Sequence, residues 1–528
     1  MPSLSREQFV TLCRNADEKD RIVVVPVGIR LLSDQLTPVL AYRRLVSPDE
    51  RTAPSFLLES VEGGERMGRH SLLGSRPALE VVATGERVEL SDHRLGARVS
   101  RSGEDPFDVL RATQRQRRLL MPPGAVEARL LPDCVLGGWF GYAGYDSVRY
   151  AEPGKLPWSG APGDDRALPD LHFGYYDGIV VFDHIGKLVH LVQLVEVEPG
   201  ADAGEAYDAA IDVLDRRADE IQEHSKPLPL GRVDQGGETA VLPSNMTREQ
   251  HAAMLARAKE YIRAGDIFQV VLGQRFERRS KADPFDIYRA LRAVNPSPYM
   301  VYMQAAGCIL VASSPEILCR VRREQGRLVV TNRPLAGTRR RGATPQEDAA
   351  LEAELLADPK ERAEHVMLVD LGRNDVGRVA EPGSIRLDKV MAIERYSHVM
   401  HISSTVTGEL RAGLDAWDAL RAALPVGTIS GAPKIRAMQI IDELEPVRRG
   451  PYGGGMGWVS LDGQMDIALT LRTIVAPTGM RRGGAWTYHI QAAGGIVADS
   501  QPEAEYMETV SKAAAMARAV DLAEHAFA

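Results

Sequence analysis

The spacing of hydrophobic and polar residues predicts a chain that mixes strands with helices. Strands are indicated where β-branched residues cluster, or where apolar and polar residues alternate between Gly or Asp turns, as in RIVVVPVG, PALEVVATG, GIVVFDHIGKLVHLVQLVEV, VYMQAAGCILVAS, RLVVTN and WTYHIQAAGG. Helical spacing of apolar residues is seen in GEAYDAAIDVLDRRADEIQEH, PQEDAALEAELLADPKERAEHVMLVDL and PEAEYMETVSKAAAMARAVDLAEHAFA. Because the strand signals come in hairpin-like clusters, we predict an α+β fold of two domains with large, mostly antiparallel, sandwich-like sheets flanked by helices.

One segment has the composition of a linker between two domains. It reads SKPLPLGRVDQGGETAVLPS and is rich in Pro, Gly and polar residues. A helix is predicted to start just after it, with Thr247 as the N-cap and Gln250 as the capping-box partner. We therefore place a linker at residues 225–246, between an N-terminal domain, 1–224, and a C-terminal domain, 247–528, both of ordinary domain size.

Composition excludes several classes of protein. The 64 Lys and Arg residues against 72 Asp and Glu give a net charge of 64 − 72 = −8, which argues against a nucleic-acid binder. No apolar run reaches membrane-spanning length and the N-terminus lacks an apolar signal region, so we expect a soluble, cytoplasmic protein with no membrane partner. The four cysteines lack Cys-x-x-Cys spacing, which disfavours a zinc site or a disulfide framework.

Two acidic motifs far apart in the sequence are the strongest chemical signal. They are Glu361-x-x-Glu364 and Glu505-x-x-Glu508-x-x-x-Lys512. Residues three or four apart share one face of a helix, so each motif presents paired carboxylates. Two such faces brought together would suit a hard cation such as Mg²⁺, which shares its site with anionic groups of a substrate. The alternative is solvated surface glutamates, but both motifs run directly into apolar stretches, VMLVDL and SKAAAMA.

Glycine-rich segments disfavour nucleotide cofactors. None of PLAGTRRRG, PVGTISGAPK, PYGGGMG and AAGG is a phosphate-binding loop of the usual ATP or NAD type. In TISGAPK, Ser430 could cap a helix whose first turn holds Pro433, and Lys434 would then lie near a bound carboxylate; a plain helix start fits equally well. The run Arg339–Arg341 is predicted to be a solvated loop, with an anion patch as the alternative.

The same segments, taken together, resemble the chorismate-utilising enzymes. The resemblance rests on LLES, NPSPYM, SSPE, PLAGTRRRG, ERAEHVMLVDLGRNDVGRV, YSHVMHISSTVTGEL, PVGTISGAPKIRAMQIIDELEP, PYGGGMGWVSLDGQMDIALTLRT and AAGGIVADSQPEAEYMETVSKA. It covers almost the whole C-terminal domain and the N-terminal domain more loosely. It implies Mg²⁺ as the cofactor, with Glu364 and Glu508 as ligands and Glu361 and Glu505 supporting them.

The resemblance also assigns roles around the metal. Glu316 and His401 would handle protons, and the residues implied to contact chorismate are Gly337, Thr338, Tyr452, Arg472, Ala493, Gly494, Gly495 and Lys512. Water-using members of the family have a lysine base where this chain has Gln269. A neutral glutamine is no base for water, which suits ammonia as the nucleophile, and Thr338 completes the expected catalytic set.

A second position separates two ammonia-using branches. Aminodeoxychorismate synthases of the folate path typically have a covalent lysine where this chain has Ala336. Alanine forms no such bond, so the resemblance favours the anthranilate-forming branch, which opens tryptophan biosynthesis. No cysteine lies in the Gly-x-Cys-x-Gly elbow of a glutaminase. We therefore expect a separate glutamine amidotransferase subunit as ammonia source, and a hetero-oligomer.

LLES and NPSPYM resemble the family's site for feedback inhibition by L-tryptophan. The residues implied are Glu59, Ser60, Asn295, Pro298, Tyr299 and Met300, placed between the two domains. His70 stands where the family usually has an aromatic residue, and this bears on the details of the effector site. A non-catalytic tryptophan-binding regulator is the alternative from another class, but the metal glutamates and Arg472 are all present.

Overall fold

The computed structural model describes residues 2–16, 18, 20–47, 53–60, 68–223, 228–233, 242–396 and 399–527. Within them the α-helices are α1 (Arg6–Asn15), α2 (Pro38–Leu45), α3 (Pro106–Arg115), α4 (Val148–Ala151), α5 (Ala203–Gln222), α6 (Arg248–Ala264), α7 (Pro284–Val294), α8 (Pro345–Ala357), α9 (Pro359–Gly377), α10 (Ala416–Ala423), α11 (Gly427–Ser430), α12 (Lys434–Leu444) and α13 (Pro502–Ala526).

The described strands of the first half are β1 (Ile22–Leu32), β2 (Ser55–Glu59), β3 (His70–Ser75), β4 (Leu79–Thr84), β5 (Arg87–Asp92), β6 (Ala97–Ser102), β7 (Arg117–Leu119), β8 (Gly138–Ala143), β9 (Leu171–Tyr176), β10 (Gly178–Asp183) and β11 (Leu188–Val197). Those of the second half are β12 (Gln269–Ser280), β13 (Tyr299–Ala305), β14 (Cys308–Ser314), β15 (Ile317–Glu324), β16 (Arg327–Asn332), β17 (Leu335–Arg340), β18 (Arg386–Arg395), β19 (Val399–Glu409), β20 (Gly431–Ala432), β21 (Gly455–Ser460), β22 (Met465–Leu469), β23 (Thr473–Pro477) and β24 (Trp486–Ile496).

These strands form two sheets, each of 12 strands. The first has the order β20-β12-β24-β23-β14-β13-β2-β3-β10-β11-β1-β7, and the second β17-β19-β16-β15-β22-β21-β8-β9-β4-β5-β6, with β18 paired to β19. Between these named strands the pairing is antiparallel except for β1 with β7. The α+β prediction with large antiparallel sheets is confirmed.

Both sheets run through both halves of the chain. The halves join at β2 and β13 in the first sheet and at β8 and β21 in the second. The division at residues 225–246 stays a prediction, since part of that stretch, 225–227 and 234–241, lies outside the described residues. Because both sheets contain strands from both halves of the chain, the junction between the halves lies inside the sandwich. A ligand bound there can contact both halves.

The core follows the two-residue period of the strands. Val23, Val25 and Val27 of β1 face a hydrophobic cluster that includes residues of α1, α5, α7 and α13, whereas Val24 faces the second sheet. Between the sheets, the rings of Phe56 and Phe140 stack with centroids 4.0 Å apart. The alternation explains why these strands read as continuous apolar runs: both faces of the sheet are buried.

The helix predicted after the linker is confirmed. Helix α6 starts at Arg248, with Thr247 as its N-cap and both capping-box hydrogen bonds to Gln250 present. One long helical prediction was wrong, because residues 345–377 form α8 and α9 with Asp358 between them. Pro359 has no N–H to continue α8, and it suits the first turn of a new helix. Among the described helices, none has the length and apolar character needed to cross a bilayer.

Candidate active site

Helices α9 and α13 carry the two acidic motifs. Glu361 and Glu364 lie one turn apart at the start of α9. Glu505 and Glu508 have the same spacing in α13, which packs on β24 and β12. The backbone of Gly494 in β24 lies close to the carboxylates of Glu505 and Glu508. A Cβ added to Gly494 would lie 3.1 Å from Glu505 Oε2 and 3.7 Å from Glu508 Oε1. Glycine thus allows the strand to approach both carboxylates.

The carboxylates of the two helices are close enough to repel one another. Burial raises the pKa of Glu364, and the charges of Glu361 and of Glu508 on the other helix raise it further. The pKa of Glu505 is raised by burial and by Glu508. Lys360 opposes both shifts. The predicted acidic faces therefore meet, and their mutual repulsion is relieved when a cation shares the site.

This donor set fits Mg²⁺ as an incomplete cage. Among the described residues, no three His, Cys, Asp or Glu side chains are grouped closely enough to hold a metal by themselves. Mg²⁺ is commonly held by one or two carboxylates, with water and substrate anions completing its shell. The Glu508 side chain is 47% exposed, so ligands can reach it from solvent. Two protein carboxylates plus an anionic substrate match this arrangement.

A line of contacts leads from the acidic site to a buried cation. Lys512 Nζ donates to Glu508 Oε1 at 2.6 Å and to the Ala493 carbonyl at 2.9 Å. The Ala493 N–H donates to the hydroxyl of Tyr452, whose pKa is raised mainly by burial. Next to Tyr452 lies Arg472, whose pKa burial lowers. Cationic and N–H donors thus surround the space beside the carboxylates.

Arg472 also has unusual backbone geometry. Its φ of 47° is in the left-handed region, which costs a non-glycine residue about 1 kcal/mol or more. It lies between β22 and β23, and no described carboxylate is within ion-pair distance of its guanidinium. A strained residue that aims an unpaired, desolvated cation into a site is well suited to an anionic ligand.

His401 is held as a neutral base by its neighbours. Burial lowers its pKa, and so does the charge of Arg472. Its Nδ1 lies 2.9 Å from the Gly337 carbonyl oxygen and 3.1 Å from Thr338 Oγ1. A carbonyl only accepts, so Nδ1 carries the proton and Nε2 is free to accept one. Gly337 and Thr338 lie in an irregularity of β17 opposite β19, a feature that re-aims side chains near active sites.

Glu316 has the opposite character and is held as an acid. It is fully enclosed just before β15, and burial raises its pKa to about 8. The backbone N–H of Leu335 and the Thr428 hydroxyl, 3.4 Å from Oε1, donate to the carboxyl group. Tyr396 lies between the two proton-handling groups: its ring is 5.6 Å from that of His401, and its pKa responds to the charge of Glu316.

Gln269 lies at the start of β12, next to the acidic site. Its side chain donates a hydrogen bond to Glu364. Its backbone pairs with Ala432 of β20, and its amide nitrogen packs against Gly495, where a Cβ has no room. The side-chain oxygen Oε1 is buried and has no hydrogen-bond partner among the described residues. An unsatisfied buried acceptor next to a reaction site marks a place for a small donor.

Two sequence-based interpretations are corrected. Ser430 does not cap a helix, because its hydroxyl donates to the Val426 carbonyl and α12 starts at Lys434 with Pro433 as N-cap. Lys434 is buried and pairs with Asp375 at 2.5 Å, so it is not available to a substrate carboxylate.

The arginine run 339–341 lies at the end of strand β17 and is not a free anion patch, although the Arg340 side chain is 67% exposed to solvent. Each guanidinium in it pairs with acidic side chains of α8, α9 or the residue between them, the partners being Glu354, Asp358 and Glu361 for Arg339, Glu347 for Arg340 and Asp348 for Arg341. Arg340 and Arg341 therefore tie the end of β17 to the start of α8, and Arg339 ties it to the end of α8 and the start of α9.

The two segments expected to form the effector site are neighbours. Strand β2 ends in Glu59 and pairs with β13, where Met300 is opposite Glu59. A cavity of about 1080 Å³ opens between the sheets at this junction. Five of the six expected residues line it, namely Glu59, Ser60, Pro298, Tyr299 and Met300, and His70 lines it as well. Asn295 does not; its side chain donates to Ser313 Oγ at 3.1 Å and supports the turn from behind.

The structure adds residues that the sequence interpretation missed. Thr428 donates to Glu316, Ser500 is hydrogen-bonded to Glu505, and Arg339 contacts Glu361 at 3.3 Å. Thr428 lies in the glycine-rich segment that drew attention to Ser430, so its neighbourhood was visible but its partner was not. No local pattern links Arg339 or Ser500 to a carboxylate in another segment.

Comparison with known proteins identifies the family to which this chain belongs. Residues 53–518 match the family described as chorismate binding enzyme. The chain is 53% identical over 523 residues to anthranilate synthase alpha subunit 1, chloroplastic, of Oryza sativa subsp. indica, covering 96% of this chain and 89% of the relative. It is 43% identical over 534 residues to anthranilate synthase component 1 of Pseudomonas putida, covering 99% of each.

A solved structure gives the same result at the level of the fold. The crystal structure of anthranilate synthase component I from Streptococcus pneumoniae TIGR4 superposes with a TM-score of 0.70 at 33% identity, covering 93% of this chain and 99% of that one. Fold and acidic site thus define an α+β enzyme that acts on a small anion. The chain belongs to the chorismate-binding enzyme family, and the resemblance seen in the sequence is confirmed.

Proposed function

We propose that this protein is the large subunit of an anthranilate synthase, which converts chorismate and ammonia to anthranilate and pyruvate. One observation carries the proposal. The expected site residues, which come from well-separated segments of the chain, form a continuous series of hydrogen bonds and electrostatic neighbours from Glu361 to His401, and Glu316 is a raised-pKa carboxyl beside them. Full-length relatives bear the name of this enzyme.

The residues divide the work by charge. Arg472, Lys512 and the backbone N–H groups of β24 bind the two carboxylates of chorismate, and Glu364 and Glu508 are the residues that would hold Mg²⁺. The bound Mg²⁺ supplies a positive charge that polarises the substrate. Glu316, protonated at neutral pH because its pKa is about 8, gives its proton to the departing C4 hydroxyl. As the ring aromatises, the C2 proton passes to His401 Nε2, and the enolpyruvyl group leaves from C3 and takes up one proton from solvent at its methylene carbon to become pyruvate.

Gln269 supports ammonia as the nucleophile. Its unpaired Oε1 accepts an N–H and orients ammonia, while its neutral amide cannot deprotonate water. The site contains no lysine at Ala336, which is 8% exposed and packed in β17. Attack on the ring carbon therefore proceeds without a covalent enzyme intermediate. We assign ammonia supply to a separate glutamine amidotransferase subunit, consistent with the component naming of relatives.

Anthranilate fluorescence tests the product. The purified full chain, given chorismate, Mg²⁺ and ammonium at alkaline pH, is expected to generate anthranilate and stoichiometric pyruvate without any added lyase. Accumulation of a non-fluorescent aminated intermediate would instead assign the chain to the aminodeoxychorismate branch. The variant Ala336→Lys is the matched probe of that branch point, and we expect it to lose anthranilate formation.

We further propose L-tryptophan as a feedback inhibitor that binds the cavity at the junction of β2 and β13. Glu59 is 7% exposed; it accepts from the Tyr288 hydroxyl at 2.7 Å and pairs with Arg292 at 2.9 Å, which leaves its carboxylate neutralised at the rim. Calorimetry with tryptophan tests binding. Binding of tryptophan together with failure to bind chorismate would favour a non-catalytic regulator over an enzyme.

A further inference from the structure

A buried ion pair lies behind the acidic site and has no part in the chemistry described above. Lys434 Nζ and Asp375 Oδ1 are 2.5 Å apart, and their side chains are 5% and 2% exposed. Lys434 opens α12 and Asp375 lies in the last turns of α9. The second oxygen of Asp375, Oδ2, has no hydrogen-bond partner among the described residues.

Such a pair is a poor device for stability. Removing two charges from water is expensive, and an unsatisfied oxygen adds to the expense. Apolar side chains of similar size would often stabilise the same place as well or better. A buried ion pair of this kind is better suited to fixing one arrangement of the elements that it joins.

The ion pair is directly related to Glu364 through the geometry of α9. Asp375 is eleven residues after Glu364, and at 100° per residue the two side chains leave the helix within about 20° of each other. Any rotation of α9 about its axis that moves Asp375 from Lys434 therefore moves Glu364 by the same angle. A rigid helix also carries an axial shift from one end to the other.

The other side of the pair leads back to Glu364 by a second path. Ala432 lies two residues before Lys434 and pairs with Gln269 in the sheet. The Gln269 side chain donates to Glu364. These contacts form a closed loop. Glu364 accepts from Gln269, Gln269 pairs with β20, and β20 leads to Lys434. Lys434 pairs with Asp375, and helix α9 connects Asp375 back to Glu364.

We propose that Lys434 and Asp375 are positioning residues for the acidic site. Their ion pair fixes the rotation of α9 relative to β12 and β20, and so holds the Glu364 carboxylate beside Gln269 at the place where the metal binds. This inference rests on the metal-binding role proposed for Glu364. Neither residue touches the substrate.

The test measures Mn²⁺ binding to the full chain by electron paramagnetic resonance, together with the unfolding temperature. We expect Asp375→Asn and Lys434→Met each to raise the Kd for Mn²⁺ about 10-fold or more, as loss of residues that orient metal ligands does. The double variant Asp375→Leu/Lys434→Met is expected to unfold at a temperature close to wild type and still bind Mn²⁺ weakly, because apolar contacts are non-directional.

A remote ion pair provides the matched control. Arg117 and Glu196 are 2.6 Å apart with side chains 4% and 8% exposed, and they join β7 to β11 far along the first sheet. Arg117→Met should lower the unfolding temperature and leave the Kd for Mn²⁺ unchanged. It separates lost stability from lost positioning.

Two results of the Mn²⁺ measurement would contradict the inference. Wild-type Mn²⁺ affinity in the folded single variants, or in the double variant if the single variants do not fold, would overturn the inference and leave the proposed function intact. Absence of Mn²⁺ binding to the wild-type chain would overturn the magnesium assignment itself, and the inference with it.

Discussion

The acidic site and the cavity at the junction of the halves both contain partly or fully buried glutamates, but the charges around these glutamates are arranged in opposite ways. Among the described residues, the charged neighbours of Glu364 are the carboxylates of Glu361 and Glu508, opposed by Lys360, and its pKa is raised. Glu59 is neutralised, since Arg292 and the Tyr288 hydroxyl both donate to it. The repulsion between carboxylates around Glu364 is relieved when a cation binds, whereas the charge of Glu59 is already paired within the protein.

This difference separates two kinds of binding. A site that crowds like charges binds a cation strongly and is unstable without one. A cavity whose charged groups are already paired binds a zwitterion of zero net charge through shape and hydrogen bonds. The fold is little destabilised when such a cavity has no ligand.

Glu508→Gln should abolish most of the activity. It removes a carboxylate from the proposed metal site, and a charge contribution of about 4 kcal/mol corresponds to a roughly 1000-fold lower kcat. Steady-state anthranilate formation measures the effect. Glu503→Gln, on the same helix but 62% exposed and paired with Arg248, is the control and should retain wild-type rates. Near-normal activity in Glu508→Gln would refute the magnesium assignment.

The pH profile should show the two proton-handling groups. The pKa of Glu316 is raised to about 8, so its acid form is present below that pH and is lost above it. kcat/KM should therefore fall as pH rises through about 8, and fall at low pH as His401, whose pKa is lowered, becomes protonated. Glu316→Gln should reduce kcat about 100-fold and remove the alkaline limb. An alkaline limb that persists in this variant would assign it to another group.

Ser60→Phe should act on the cavity alone. A phenyl ring at the rim of the cavity fills space that tryptophan needs, so we expect the inhibition constant to rise about 10-fold or more with kcat unchanged. Ser102→Phe, on the exposed strand β6, is the matched control. Unchanged inhibition in Ser60→Phe would disprove the effector site, and lost catalysis would show that the two regions are not separate.

The smallest effects are on stability and should have opposite signs. A carboxylate whose folded-state pKa is raised destabilises the fold once pH exceeds its unfolded value of about 4.3, so Glu364→Gln should stabilise the metal-free protein at neutral pH. Glu59→Gln removes the ion-pair partner of Arg292, whose side chain is 31% exposed, and should destabilise by about 1 kcal/mol. Urea unfolding in a chelating buffer measures both; shifts of the same sign would contradict the contrast.

The sequence predicted local features of the fold and site well. Capping at Thr247 and Gln250, the paired faces of Glu361 with Glu364 and Glu505 with Glu508, and the antiparallel sheets all follow from patterns a few residues long. The 100° step of a helix turns His365 away from the neighbouring Glu364, and His365 is buried with a 2.7 Å hydrogen bond to Ser404.

The features that the sequence did not predict depend on long-range contacts. Strands from the two halves alternate in both sheets, and no periodicity states which strand pairs with which. Lys434 looked available for a substrate, but its partner Asp375 is 59 residues away in the chain. Likewise, the lowered pKa of His401 depends on burial and on the charge of Arg472, and its tautomer depends on the Gly337 carbonyl; these neighbours reach it only in the fold.

Magnesium dependence of anthranilate formation most directly tests the proposed magnesium site and the proposed activity. The full chain, stripped of metal with a chelator, should show no anthranilate fluorescence from chorismate and ammonium. Activity should return along a saturable curve as Mg²⁺ is added, and Glu364→Gln should shift that curve to higher Mg²⁺ concentration. Full activity of the metal-free protein, or no anthranilate at saturating Mg²⁺, would contradict the account.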